Sequence, residues 1–323
     1  MSARSQFPEH NSQTSSEVKP ARREFLKKAV AAAAVAAVGT GETADAAVQD
    51  EPKLPQITLG PHRISRLVCG ANCFNAGSHL SVFVNHQMRE YYTPEQIVKT
   101  LLRCSEVGIT AFQSHLVNLD AYRQVREAGA EMKFISLGQN RYTDDELRQL
   151  AEAGTIGVAH HGELTDRMFK TGQLDKVQEF LKRVRDTGMQ VGISTHMPDV
   201  VDAVESKGWD VDFYMTCVYE RHRSAEDLRK LLGHVPIPVG EVYLQEDPPR
   251  MFKAIRQTRR PCLAFKILAA GRLSDRSQWV EQAFRETLAS IKPTDGVIVG
   301  IYDRYSDQPA ENASLMRKYG SNA

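Results

Sequence analysis

The chain has 323 residues, enough for one large domain or two small ones, and its 41 Lys and Arg nearly balance its 40 Asp and Glu. The basic residues are spread along the whole length, which argues against a nucleic-acid surface, since that needs a concentrated basic face. Cys69, Cys73, Cys104, Cys217 and Cys262 are odd in number and form no CxxC pair, so neither a disulfide framework nor a zinc knuckle is expected.

Residues 1–20 are polar and rich in Ser, Gln and Glu, a composition that predicts disorder. Arg22, Arg23, Phe25, Leu26 and Lys27 then precede an Ala/Val run from Ala29 to Val38. That run is about half the roughly 20 residues needed to span a bilayer. Ala44-Asp45-Ala46 fits a small-residue cleavage site before Ala47. The order Arg-Arg-x-Phe-Leu-Lys resembles a twin-arginine export signal. The resemblance implies a signal region over 1–46, recognition by the twin-arginine export machinery, and a periplasmic or secreted product with no stable membrane span after processing. Residues 47–323 are then the folded part.

From Gln56 onward, apolar runs alternate with segments of helical period. Strands are expected at 66–72, 109–115, 133–140, 156–161, 190–196, 213–220, 262–269 and 296–302. The intervening helices carry clear punctuation. Thr93 caps a segment with Pro94 in its first turn and Gly108 at its end, and Thr143 opens another with an acidic first turn. Further helices are expected at 173–188, 197–208, 277–293 and 308–320, with an irregular sixth crossover holding two short ones at 224–233 and 249–258. Strands this apolar, each followed by a helix, need a parallel sheet covered by helices. Eight such units fit a closed (β/α)₈ TIM barrel in the α/β class. A doubly wound sheet is the alternative, but no G-x-G-x-x-G follows the first strand.

In such a barrel the chemistry sits at the C-terminal strand ends. Those ends hold His115, His160, His161, His196, Glu220 and Lys266, together with polar Asn72, Gln113, Gln139 and Asn140. Side chains alternate across a strand, so only one of His160 and His161 can face the mouth if the strand continues that far, whereas Gln113 and His115 share a parity. Lys266 lies inside an apolar run, where an amine is rarely buried without a partner. Burial would lower its pKa and suit a base or an amine nucleophile; pairing with Glu220 is the structural alternative.

Several segments together resemble the aldo-keto reductase superfamily: "LGPHRISRLVCGANCFN", "LLRCSEVGITAFQSH", "GISTHMPDVVDAV", "DFYMTCVYERHR", "AFKILAAGRL" and "VIVGIYDRYSDQPAENASL". The resemblance implies a (β/α)₈ barrel that reduces carbonyls with NAD(P), using a Tyr acid tuned by Asp, Lys and His. Ser194, Gly271, Arg272, Gly300, Glu311 and Asn312 match its cofactor-binding positions. The acid set departs from the family: Gln113 stands at the Asp position, no Tyr lies near Asn118, the strand-three Lys is missing, and only the His has a counterpart, His160. Asp303 would put a negative charge where a 2′-phosphate is usually held.

Three readings follow. The first is an exported oxidoreductase with a rearranged site acting on a small carbonyl or sugar-like substrate, in which His160 or His115 replaces the Tyr and Lys266 and Glu220 complete the set. The second is a hydrolase, lyase or isomerase using a divalent metal held by His115, His161 and His196. The third is a barrel that binds sugars without turning them over.

Overall fold

The computed structural model describes residues 53–221, 223–237 and 241–321. The twin-arginine segment read over 1–46 lies outside these residues. Among the described residues no helix is long and apolar enough to cross a membrane.

The chain enters through an antiparallel hairpin, β1 (Gln56–Leu59) and β2 (His62–Ser65), which the sequence pattern did not announce. Gly60 turns it with φ at 58°, a left-handed conformation that suits glycine. Eight parallel strands then close on themselves in chain order: β3 (Leu67–Gly70), β4 (Ala111–Ser114), β5 (Lys133–Gly138), β6 (Thr155–His160), β7 (Gln190–Thr195), β8 (Phe213–Cys217), β9 (Cys262–Phe265) and β10 (Gly296–Gly300), with β10 pairing back onto β3. This is the expected (β/α)₈ barrel.

Most strands are shorter than the apolar pattern implied, and β9 shows why. It stops at Phe265 because Lys266 takes φ +60°, which no strand can accommodate. The capped helices form as read: Pro94–Glu106 behind the Thr93 cap, and Asp144–Glu152 behind a Thr143–Glu146 capping box. Helices also form at Val82–Tyr91, Leu119–Glu127 and Gly162–Lys170, where the sequence pattern assigned none.

The strands separate two apolar layers. Val68, Ala111, Ile135, Ala159, Phe213, Met215, Leu263 and Ile298 point into the barrel, while Leu67, Phe112, Phe134, Val158, Val191 and Val297 pack against the helices. Ile57, Leu59 and Ile64 of the hairpin join the inner layer, and Ile57 approaches Gly296 at the start of β10. The hairpin therefore plugs the N-terminal end of the barrel. Beside it the buried Arg66 guanidinium donates to the carbonyls of Asp295 (2.9 Å), Gly320 (2.6 Å) and Lys292 (3.1 Å), tying the first barrel strand to the last helix.

Candidate active site at the barrel mouth

The strand parity that fills the barrel also selects the mouth. On β4 the inward positions run from Ala111 through Gln113 to His115, on β6 from Ala159 to His161, and on β7 through Ser194 to His196. Gln113, His115, His161, Ser194 and His196 line a cavity of about 970 Å³ at the C-terminal ends of the strands. His160 has the opposite parity and lies outside it. Its ring is fully buried toward the helices, edge-on to Phe180, with Nδ1 at 2.7 Å from Thr165 Oγ1 and Nε2 on Asn140 Oδ1. Burial pushes its pKa down to about 3. The imidazole that β6 delivers to the mouth is thus that of His161, not His160.

The three mouth imidazoles differ in their anchoring. His115 donates from Nδ1 to the carbonyl of Leu137 (3.2 Å). His196 holds Asp166 Oδ2 at 2.7 Å through Nδ1, and its own backbone N–H also reaches that carboxylate. A carboxylate only accepts, so Nδ1 carries the proton and Nε2 presents a lone pair, 3.4 Å from Arg221 Nη1. His161 stacks on His115 with ring centroids 5.7 Å apart, and its buried Nδ1 has no hydrogen-bond partner among the described residues. Burial lowers the pKa of all three, with His115 adding to the effect at His161, which falls to about 4. The mouth therefore holds neutral rings near pH 7. Room for the turn that follows β6 comes from Gly162: a Cβ there would stand 2.9 Å from Ser194 Oγ and 3.1 Å from His196 Cε1.

Lys266 enters from β9. Its side chain is 7 % exposed, and its Nζ is 3.6 Å from Glu241 Oε2, an ion contact beyond hydrogen-bond reach. Burial, with Arg221 nearby, lowers its pKa. The pairing with Glu220 expected from sequence does not occur. The chain leaves β8 at Cys217, and Glu220 is taken up by Arg223 (3.3 Å) and Arg250 (2.7 Å), away from the cavity wall. Glu241, which no sequence pattern marked, holds Arg221 and sits 2.9 Å from His79 Nδ1. Although burial opposes it, the pull of His79, Lys266 and Tyr243 keeps its carboxylate well below the usual range.

Of the six expected cofactor positions, Ser194, Gly271, Gly300, Glu311 and Asn312 line this same cavity. Arg272 does not: its guanidinium lies 4.2 Å over the Tyr243 ring and donates to the carbonyls of His79 (3.0 Å) and Glu241 (3.3 Å), pinning neighbouring loops together. Asp303 also points elsewhere, accepting from Tyr92 (2.9 Å) and Thr100 (2.7 Å). The carboxylates at the cavity wall are those of Glu163, Asp275, Glu281 and Glu311. Gln113 lies in the wall at the family's Asp position, and Tyr122 is buried against Phe134. A phenol reaches the cavity from another strand end, that of Tyr302.

Two further observations set the mouth apart from the rest of the barrel. Seven buried side-chain polar atoms among the described residues lack a hydrogen-bond partner, and four of them, on His161, Arg221, Lys266 and Tyr302, belong to cavity residues. Buried polar atoms are nearly always paired, so four exceptions on the residues of one cavity are unusual. The non-glycine residues with left-handed φ among the described residues are Ala76, His79, Lys266, Ala269 and Ala270, all in the two loops at this rim. Such strain, of order 1–3 kcal/mol per residue, concentrates at ligand-holding sites. Among the described residues no group of three or more His, Cys, Asp and Glu side chains is arranged to hold a metal ion. His115, His161 and His196 share a cavity without converging on one point, and two of them already spend Nδ1 on protein acceptors.

No protein-family model matches the chain, and no curated sequence matches it. Solved structures are similar at low identity. A truncated 3-deoxy-D-arabino-heptulosonate 7-phosphate synthase from Thermotoga maritima has 14 % identity and a TM-score of 0.44, covering 84 % of this chain and 92 % of its own. The glycerol dehydrogenase AKR11B4 from Gluconobacter oxydans, an aldo-keto reductase, has 10 % identity and a TM-score of 0.44, covering 83 % and 97 %. An aldolase, QR15, has 12 % identity and a TM-score of 0.41, covering 70 % and 89 %. The barrel is a fold that suits an enzyme.

Proposed function

We propose that the chain is an oxidoreductase that interconverts a small carbonyl or sugar-like substrate and its alcohol with a nicotinamide dinucleotide. One observation carries this reading: a single cavity gathers five of the six expected cofactor positions and the neutral imidazoles and amine of the mouth. The walls fit such a group. Gln113 and Ser194 deep in the barrel offer donors and acceptors for a carboxamide, and Ser274, Ser306 and Asn312 farther out suit ribose hydroxyls. Asp275 and Glu311 favour a free ribose hydroxyl over a 2′-phosphate, which supports NAD over NADP.

A bound nicotinamide supplies hydride to the substrate carbon or removes it. The chain's own residues then handle the proton. Lys266, its pKa lowered by burial, gives a proton to the developing alkoxide, and the neutral rings of His115 and His161 orient and polarise the carbonyl. Asp166 fixes the tautomer of His196, whose lone-pair nitrogen faces Arg221. The test is consumption of NADH or NADPH with a panel of small aldehydes, ketones and keto sugars. Turnover with at least one member is expected, with NADH preferred and His161→Gln slower by about 10²-fold. Absence of turnover across the panel, together with no dinucleotide binding, would end this reading.

The same proposal places the protein across the cytoplasmic membrane. Replacing Arg22 and Arg23 together by Lys should leave full-length protein in the cytoplasm; unchanged processing and export of that variant would contradict it.

A further inference from the structure

The amine of Lys266 has an environment unlike that of a structural lysine. A buried ammonium is ordinarily held by a carboxylate and further acceptors, because the desolvated charge must be repaid. Among the described residues Nζ has no partner within hydrogen-bond distance, and the carboxylate that faces it, Glu241, stands off at 3.6 Å. That carboxylate is shared with Arg221, His79 and Tyr243. The other groups that act on Lys266 are the Cys217 thiol at the end of β8 and the Arg221 guanidinium, a like charge. The backbone at Lys266 is strained into φ +60°, and a strand that simply ended one residue later would not need that strain. Its result is an amine in the cavity wall beside Phe265 and Ile267, facing the same space as His161 and His196.

We propose that Lys266 is a nucleophilic amine that captures small aldehydes or ketones entering the cavity as a covalent imine. The step balances without an oxidant or reductant. The Nζ lone pair forms a bond to the carbonyl carbon while the C=O π pair moves to oxygen, and a proton passes from nitrogen to that oxygen to give the carbinolamine. The hydroxyl then takes one more proton and leaves as water, and the nitrogen lone pair forms the protonated C=N bond. Amine, carbonyl and one proton become iminium and one water. Burial lowers the pKa of Lys266, with Arg221 acting in the same direction, so its free-amine share exceeds that of an exposed lysine. The lone-pair nitrogen of His196, fixed by Asp166, is a proton acceptor in the same wall. The imine resists competing hydrolysis only if the site limits water, and the apolar flank of Phe265, Ile267 and Met215 serves that end.

This inference rests on the claim of the reading above that the cavity admits small carbonyl compounds and gives Lys266 a second role, its ammonium form donating a proton there and its free amine attacking here; it needs no dinucleotide. The experiment treats the full chain, without nucleotide, with glycolaldehyde and cyanoborohydride near pH 7, which reduces any imine to a stable secondary amine. Peptide mass mapping then locates the label. Lys266 is expected to be labelled at least about tenfold more than the exposed Lys99, because its amine stands in the wall of the cavity that admits the carbonyl. Lys266→Arg, checked by circular dichroism for its fold, should lose the dominant adduct. Labelling of Lys266 equal to or below that of Lys99 in the native chain overturns the proposal, whether or not the variant folds. If dinucleotide binds but Lys266 is not preferentially trapped, only this inference falls; if trapping occurs and no dinucleotide binds, only the reductase reading does.

Discussion

The two ends of the barrel are built on opposite principles. At the floor, Arg66 satisfies three carbonyls, Asp295 accepts from the backbone N–H groups of Cys262 and Lys292, and the hairpin fills the opening with Ile57, Leu59 and Ile64. At the mouth, polar atoms of His161, Arg221, Lys266 and Tyr302 are buried without hydrogen-bond partners among the described residues, five of which, none a glycine, are held there in left-handed conformations. The same strands supply both ends, so the fold itself does not force this difference. The floor is arranged for stability, and the mouth gives some of it up to present reactive groups.

The strongest way to break this comparison is at the floor. Arg66→Ala strands three buried carbonyls and should cost roughly 3 kcal/mol or more, lowering Tm by about 6 °C or more while leaving the mouth chemistry of the folded fraction intact. Calorimetry checks the first part and ligand binding the second. An effect near zero would mean that the floor is not where stability resides.

Acid titration sharpens the contrast next. The folded pKa values of His160 and His161 lie near 3 and 4, below the unfolded value of 6.5. In that window the unfolded chain binds protons that the folded chain refuses. Stability is therefore full above about pH 6.5 and falls as pH drops toward 4, by roughly 2–4 kcal/mol per ring. Urea unfolding as a function of pH should show this slope, and His161→Gln should flatten part of it.

At the mouth the signs reverse. Lys266→Met removes a poorly compensated buried amine and should leave Tm unchanged or raised while carbonyl turnover drops by about 10²-fold or more. The smallest effect is expected from Ala270→Gly, which relieves a left-handed φ of 52° and should stabilise by about 1 kcal/mol or less. If both variants proved strongly destabilising, the mouth would be a structural region like the floor.

The barrel was legible because eight apolar runs alternate with capped amphipathic segments, and that rhythm has few solutions. The hairpin was not, because four-residue strands around Gly60 are too short for a period to register. Parity placed Gln113 and His115 together, but His160 and His161 could not be separated at a strand end whose last paired residue was unknown. Asp166 escaped notice because a carboxylate in the helix after β6 reads as a solvent-facing residue, and only the fold turns it toward His196. Glu241 lies in the irregular crossover between β8 and β9, where no pattern ranks one carboxylate over another. Lys266 stood out as a charge in an apolar run, but its partner depends on which loop folds over it.

The central claim is that the inner wall at Ser194 and the outer wall at Asn312 bound one cavity that a dinucleotide occupies beside the mouth imidazoles. Its most direct test is a fluorescence titration of the native chain and of Ser194→Leu with NADH, Tm being monitored in both. The account predicts saturable binding by the native chain with a Kd of roughly 1–100 µM, and at least about tenfold weaker binding by the variant at near-native Tm. No saturation with the native chain up to millimolar NADH, or equal affinity in the two proteins, would contradict it.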